Sequence, residues 1–176
     1  VKSDKYLNFI KEFHFNPLPS TFGVNSTVDR YVNVRRYRFS SPEFSTWYDR
    51  RFTWERQYNL RWNFTRTLSL DYRAQNFAVI DELNQDGETI YGERPDIDPN
   101  TYMWNNVKSL GRTKDYNHTV TGTWNVPLKN FPLIDFIDLR AQASANYAWN
   151  AATANVDSLG NTIQNNQNLT LNANIN

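Results

Sequence analysis

Between Phe52 and Phe64 the chain alternates with a period of two. One set of positions reads Phe52, Trp54, Arg56, Tyr58, Leu60, Trp62 and Phe64; the interleaved set reads Thr53, Glu55, Gln57, Asn59, Arg61 and Asn63. Only Arg56 breaks the apolar series, and a period of two marks a strand with one apolar and one polar face. After Thr65, Arg66 and Thr67 the pattern resumes, with Leu68, Leu70, Tyr72 and Ala74 opposed to Ser69, Asp71, Arg73 and Gln75. A hairpin with a tight turn is predicted there. A second hairpin sets Tyr116, His118, Val120, Gly122, Trp124, Val126 and Leu128 against Asp115, Asn117, Thr119, Thr121, Thr123 and Asn125. Its return strand sets Ile137, Leu139, Ala141, Ala143, Ala145, Tyr147 and Trp149 against Asp138, Arg140, Gln142, Ser144 and Asn146. Leu169, Leu171, Ala173 and Ile175 alternate with asparagine and threonine, and Phe22, Val24, Val28, Val32 and Val34 form a weaker series. These patterns predict about six strands, at roughly 22–38, 52–64, 68–80, 113–128, 137–150 and 168–176.

The connections alternate too. Those at 39–51, 81–112 and 150–167 are long, whereas 65–67 and 127–136 are short. Outer-membrane barrels combine short periplasmic turns with longer extracellular loops, so the long ones are expected outside. The 81–112 loop carries signals of its own structure. Asp86-Gly87 suits a tight hairpin turn, and Asp98 as N-cap, Pro99 as first helical residue and Gly111 beyond Leu110 frame a short helix.

A span of ~13 residues at ~3.3 Å, tilted by ~40°, rises roughly 33 Å, enough for an apolar band of about 25 Å. Trp54, Tyr58, Tyr147 and Trp149 fall toward the long-loop ends, and Trp62, Phe64, Trp124 and Phe136 toward the short-turn ends. Amphipathic rings at both levels are what two membrane interfaces favour. The predicted fold is therefore all-β, with antiparallel transmembrane strands forming part of a very large outer-membrane β-barrel. Its expected lipid-facing residues are Trp54, Tyr58, Leu60, Trp62, Phe64, Leu68, Leu70, Tyr72, Val120, Trp124, Val126, Leu139, Ala141, Ala143, Tyr147, Trp149 and Leu171. Glu55, Arg61, Asp71, Arg73, Asp115, Asp138 and Arg140 are expected to face the lumen. Six strands fall short of the eight or so that close the smallest single-chain barrels, so further strands of the same barrel are expected as neighbours.

Composition narrows the alternatives. With 19 Lys and Arg against 18 Asp and Glu, the formal charge is +1 and no basic field exists to hold nucleic acid. There is no cysteine, hence no disulfide framework and no thiolate metal site. A mean hydropathy of −0.73 looks too polar for a membrane protein, yet 15% of the residues are aromatic. Both values fit a barrel, where only every second strand residue faces lipid. No apolar run approaches the ~20 residues of a spanning helix. Neither a leader nor an initiating methionine precedes Val1, so a processed or cut start is expected.

Candidate chemistry is sparse. His14 and His118 stand far apart with no ligand spacing, and no nucleophile, base and acid combine into a catalytic set. The polar-face carboxylates, mixed with arginines, read as a solvated wall rather than catalytic acids. Asp96, Asp98 and Asn100 imitate the start of a calcium loop, but Thr101 stands where glycine belongs and Val107 where the bidentate glutamate belongs. No enzyme activity, cofactor or metal is assigned. Asn-x-Ser/Thr matches at Asn25, Asn63, Asn117 and Asn168 follow from alternating polar faces. Residues 1–20, with Leu7, Phe9, Ile10, Phe13 and Phe15 in a stretch of mixed periodicity, are expected as a periplasmic-side or lumenal segment, the plainer reading being a linker between strands. Arg56 is expected near the outer rim, snorkelling to headgroup phosphates, so that Arg56→Leu is tolerated while Leu70→Arg or Ala143→Arg impairs assembly.

The chain also resembles the SprA/Sov proteins, giant outer-membrane barrels that form the translocon of the type 9 secretion system. The resemblance lies in FNPLPS at Phe15 to Ser20, Asp29-Arg30-Tyr31, RRFTWERQYNLRWNFTRTLSLDY from Arg50 to Tyr72, and the hairpin Tyr116 to Ile137. It spans the whole chain and implies an internal portion of a longer protein in the bacterial outer membrane. It further implies folded client proteins passing through the lumen, and accessory outer-membrane and periplasmic secretion proteins as partners. Other readings remain: another large barrel, such as a nutrient receptor or usher, or a soluble β-sandwich adhesin or sugar-binding module.

Overall fold

The computed structural model describes residues 14–36, 46–84, 87–90, 92–131, 133–152 and 160–175. Leu7, Phe9, Ile10 and Phe13 of the expected periplasmic-side segment, Asp86 of the expected turn, and the strand ends at 37–38 and Asn176 lie outside these. The described chain is all-β: one antiparallel sheet of six strands in sequence order, with one helix. The strands are β1 (Thr21–Arg36), β2 (Thr46–Asn63), β3 (Leu68–Val79), β4 (Arg112–Val126), β5 (Ile137–Asn150) and β6 (Thr162–Ile175). The helix, α1 (Pro99–Lys108), lies between β3 and β4.

Each hairpin is held by continuous ladder pairing, from Phe22 opposite Leu60 in the first to Ile137 opposite Ile175 in the last. The ladder shifts once, between Phe77 and Ala78, where Asp115 and Thr113 are their partners. That bulge sits where β4 emerges from the helical segment and re-aims its first residues. The β2–β3 turn is closed by Thr65, whose backbone N–H donates to the Leu68 carbonyl at 3.2 Å and whose hydroxyl accepts from Leu68 N–H at 2.9 Å. Between β4 and β5, Leu128–Asn130 forms a single 3-10 turn.

Two strands begin earlier than alternation predicts. β2 starts at Thr46 rather than Phe52, because Tyr48 and Arg50 keep their ladder partners Val34 and Val32. β6 starts at Thr162 rather than Asn168, because Thr162 to Gln167 pair with Asn150 to Ala145 although Ile163 is the one apolar residue there. Pairing to an existing neighbour extends a strand without any periodic signal.

The sheet is a single open layer, not closed as a barrel, and β1 and β6 are its edges. Apolar burial among the described residues is confined to Ala74, Ala78, Ile80 and Leu83, all around the upper end of β3. Elsewhere Leu169, Leu171 and Ile175 on β6 and Phe22, Val24 and Val28 on β1 stand exposed. No helix among the described residues is long and apolar enough to cross a membrane, a fact without bearing on strands.

Candidate functional site

Residues paired across an antiparallel ladder point to the same face, so the register sorts the whole sheet. Tyr58 faces Ala74, which faces His118, which faces Tyr147, which faces Asn165. Parallel rows add Leu60, Tyr72 and Val120; Trp62, Leu70, Gly122, Ala143 and Leu169; and Leu68, Trp124, Ala141 and Leu171. Trp54, Val126, Leu139 and Trp149 share this side. Phe64, just past β2, stacks on Trp62 with ring centroids 4.3 Å apart. The residues expected to meet lipid thus occupy one face.

Glu55, Arg61, Asp71, Arg73, Asp115, Asp138 and Arg140 lie on the other. There Arg61 pairs with Asp71 at 3.2 Å and Arg51 with Asp29 at 3.2 Å. The Glu55 carboxylate accepts from the amides of Gln57 and Gln75, each at 2.7 Å. These contacts are solvated, and exposed ion pairs contribute only about 0–1 kcal/mol. Toward β6 the charges run out: TIQNNQNLTLNANI carries none.

The upper part of the apolar face differs from expectation. Arg56 does not reach out toward headgroup phosphates as expected; it is 7% exposed and held by protein acceptors. Its guanidinium donates to Asn76 Oδ1 at 2.7 Å and to the Leu110 carbonyl at 3.0 Å, and lies 5.0 Å from the Trp54 ring centroid. The reason is that the chain returns over this face at Leu110 and Gly111. Ala78 is sealed beneath it, and a Cβ built on Gly111 would lie 3.4 Å from that of Ala78 and 3.0 Å from the Val79 carbonyl. Leu110 and Gly111, both at positive φ, make this close return.

Three further arginines fasten the segment from Ile80 to Gly111. Arg112 holds Asp81 through two hydrogen bonds of 2.8 Å, Arg30 meets Glu82 at 2.6 Å, and Arg50 donates to the Leu83 carbonyl at 3.4 Å. The helix begins as its residues predict, with the Asp98 carboxylate accepting from the N–H groups of Asn100 and Thr101 and Pro99 in the first turn. That carboxylate is thereby committed to capping. From α1, the Asn106 amide donates to the Asp81 carbonyl, just past β3, at 3.1 Å. Gly87, the described half of the expected turn, has positive φ, and its N–H donates to the Asn84 carbonyl.

Lower on the same face, Tyr72 and Tyr116 share a hydroxyl contact of 3.2 Å, and His118 stacks on Tyr147 with centroids 5.1 Å apart. At the short-turn end the Trp62 indole donates to the Asn16 carbonyl at 2.9 Å, and Ser20 N–H to the Arg61 carbonyl at 2.8 Å. Residues 14–20 therefore sit on the side expected to be periplasmic. His14 is exposed there.

One geometric feature joins these observations. Carried straight across the ladder, Arg56 leads to Asn76, Tyr116, Trp149 and Ile163. The lowest polar residue on the apolar face does not keep to that row. It is Arg56 on β2 and Asn76 on β3, then His118 on β4, one alternating position lower. On β6 it is Gln167, four residues past Ile163. The short-turn ends descend as well: Asn63 leads across to Thr170, yet β6 continues to Ile175. A band of apolar side chains therefore crosses the sheet obliquely. Four residues at ~3.3 Å over four strand spacings of ~4.8 Å give a slope of about 35°. Asn165 and Gln167, which mark its upper border on β6, lay outside the strand that alternation predicted. Compared with family models and with curated protein sequences, the chain matches none.

Proposed function

We propose that this sheet is a wall segment of a giant outer-membrane pore that conducts folded proteins, as the resemblance to SprA/Sov translocons implies. The observation that carries the membrane part of this reading is the oblique apolar band. Strands of membrane barrels tilt by ~35–45° to the barrel axis, so a horizontal slab of lipid cuts their outer face on a slant of that size. The band's height agrees too. From Arg56 to Phe64 is eight residues, ~26 Å along the strand and roughly 21 Å once tilted, against an apolar belt of about 25 Å.

A soluble sandwich would need a second layer over this face. Among the described residues only the return at Leu110 and Gly111 folds over it, and only at the long-loop end. The edges ask for neighbours, since unpaired backbone in lipid costs several kcal/mol per group. Further strands of one large barrel supply them. A protein-conducting lumen is supported by the opposite face: paired charges near β1–β3 and neutral amides and hydroxyls toward β6 present little net field to cargo of either sign.

The test places nitroxides at Leu70, Ala143 and Thr170 in the complete membrane-reconstituted protein. Leu70 and Ala143 should collide with lipid-dissolved oxygen and be protected from an aqueous nickel chelate, and Thr170 should show the reverse. Aqueous access at Ala143 equal to that at Thr170 would sink the wall reading. A photo-crosslinker at Thr121 or Asn146 then tests cargo; adducts with secreted proteins are expected from these positions and not from Ala143.

A further inference from the structure

We infer that α1 lies at the level of the outer-leaflet headgroups and binds their phosphate-bearing heads through Trp104 and Lys108. This rests on the membrane-wall reading above and adds a lipid contact outside the barrel's apolar band. The first premise is which side of the wall the segment occupies. Arg56, Asn76 and Ala78 all belong to the apolar face, and it is Arg56 that grips the Leu110 carbonyl beyond the helix end. Arg30 and Arg50, on the same face by their pairing with Phe52 and Val32, hold Glu82 and Leu83. Arg112, in the row of Val79 and Thr53, holds Asp81 from the polar side, whereas the return at Leu110, the end nearest the helix, is fastened on the bilayer side.

The second premise is depth. The segment's anchor is Arg56, which marks the upper border of the apolar band on β2; what sits outward of that border meets the layer just above the acyl chains.

The third premise is the composition of the outward helix surface. Tyr102, Met103, Asn106 and Val107 are half-buried, Asn106 against the Asp81 carbonyl, whereas Asn100, Thr101, Trp104, Asn105 and Lys108 are exposed. A single indole, 56% exposed, stands among hydrogen-bonding groups with one ammonium on the next turn. This surface is too polar for acyl chains and presents an unpacked tryptophan to water if nothing covers it. An indole prefers headgroup depth, and an ammonium at that depth meets phosphate. One layer satisfies both side chains.

The experiment uses the complete protein in nanodiscs of phosphatidylethanolamine and phosphatidylglycerol, with any other cysteine replaced. A fluorophore is attached at Trp104→Cys, Ala143→Cys or Thr170→Cys in turn. Lipids carrying a nitroxide on the headgroup or deep in the acyl chain are compared with aqueous iodide. At position 104 the headgroup nitroxide should quench at least about twofold more than the acyl nitroxide or iodide, as an interfacial site requires. At 143 the acyl nitroxide should dominate, and at 170 iodide. Lys108→Glu should weaken headgroup quenching at 104 and leave 143 unchanged. Iodide dominating at 104 would overturn the inference by placing the helix clear of the membrane. Protection from all three quenchers would overturn it in favour of a protein neighbour. If 143 fails with 104, the wall reading itself has failed; if 143 behaves and 104 does not, only the headgroup contact is lost.

Discussion

The upper end of β2 and β3 and the bare expanse of β5 and β6 lie on the same face of one sheet, yet the described chain covers only the first. Around Ala78 and Ile80 the chain supplies its own cover, a return at Leu110 and Gly111 fixed by Arg56. Around Ala143, Leu169 and Leu171 the described chain supplies nothing, and the side chains stand open. The first region can carry Arg56 because protein acceptors meet its charge. The second admits no charge from Gln167 downward on β6 or below His118 on β4. Where a chain provides its own cover it can make it polar; where the cover is hydrocarbon, only apolar side chains are cheap to place against it.

That contrast breaks most readily in the bare region. If the proposed membrane wall holds, Ala143→Arg or Leu70→Arg would set a charge against acyl chains, at about 2–4 kcal/mol near the bilayer midplane. Membrane-inserted, protease-resistant protein should fall several-fold for each. An exposed solvated face would lose nothing, so undiminished insertion of both variants would remove the contrast.

Next in size is Arg112→Met, which acts in the covered region. Asp81, 9% exposed, loses both hydrogen bonds to the guanidinium and keeps its charge. Breaking a buried pair costs 3–5 kcal/mol; with Arg112 partly exposed, about 2–3 is expected here. The loss should appear as faster amide exchange from Ile80 to Gly111, with membrane insertion kept. Arg56→Leu follows at about 1–2 kcal/mol, from the charged hydrogen bonds lost to Leu110 and Asn76. It too should loosen the covering segment and not the wall. Insertion falling as far as in Ala143→Arg would show that the segment is part of the barrel's assembly.

Alternation alone made the two faces legible, because a period of two carries over a whole strand once its register is known. The capped helix was legible for another reason: Asp98, Pro99 and Gly111 are local signals that need no distant partner. What stayed hidden was non-local. Thr162 to Gln167 shows no alternation and becomes strand through β5 alone, which concealed the polar residues at the band's upper border. Arg56 could be seen as an exception to its strand, but its acceptor lies at Leu110, fifty-four residues on. Nothing in the local pattern says which loop returns to cover which face.

The smallest expected effect gives the finest version of the comparison. Asp98→Ala removes the side-chain acceptor for two N–H groups at the start of α1 and should cost about 1 kcal/mol of helix stability. Asn100 and Thr101 are exposed, so water takes up the freed donors and the loss remains confined to the first turn. Arg56 grips the other end of the segment and is untouched, which predicts fraying at Asn100 to Met103 while Asn106 and Leu110 keep their protection. Exchange rates along α1 read this directly. A gradient that fades toward Gly111 means the cover is anchored by the arginines at its two junctions with the sheet. Uniform acceleration along the helix would mean instead that the cap, rather than Arg56 and Arg112, holds the segment against the wall.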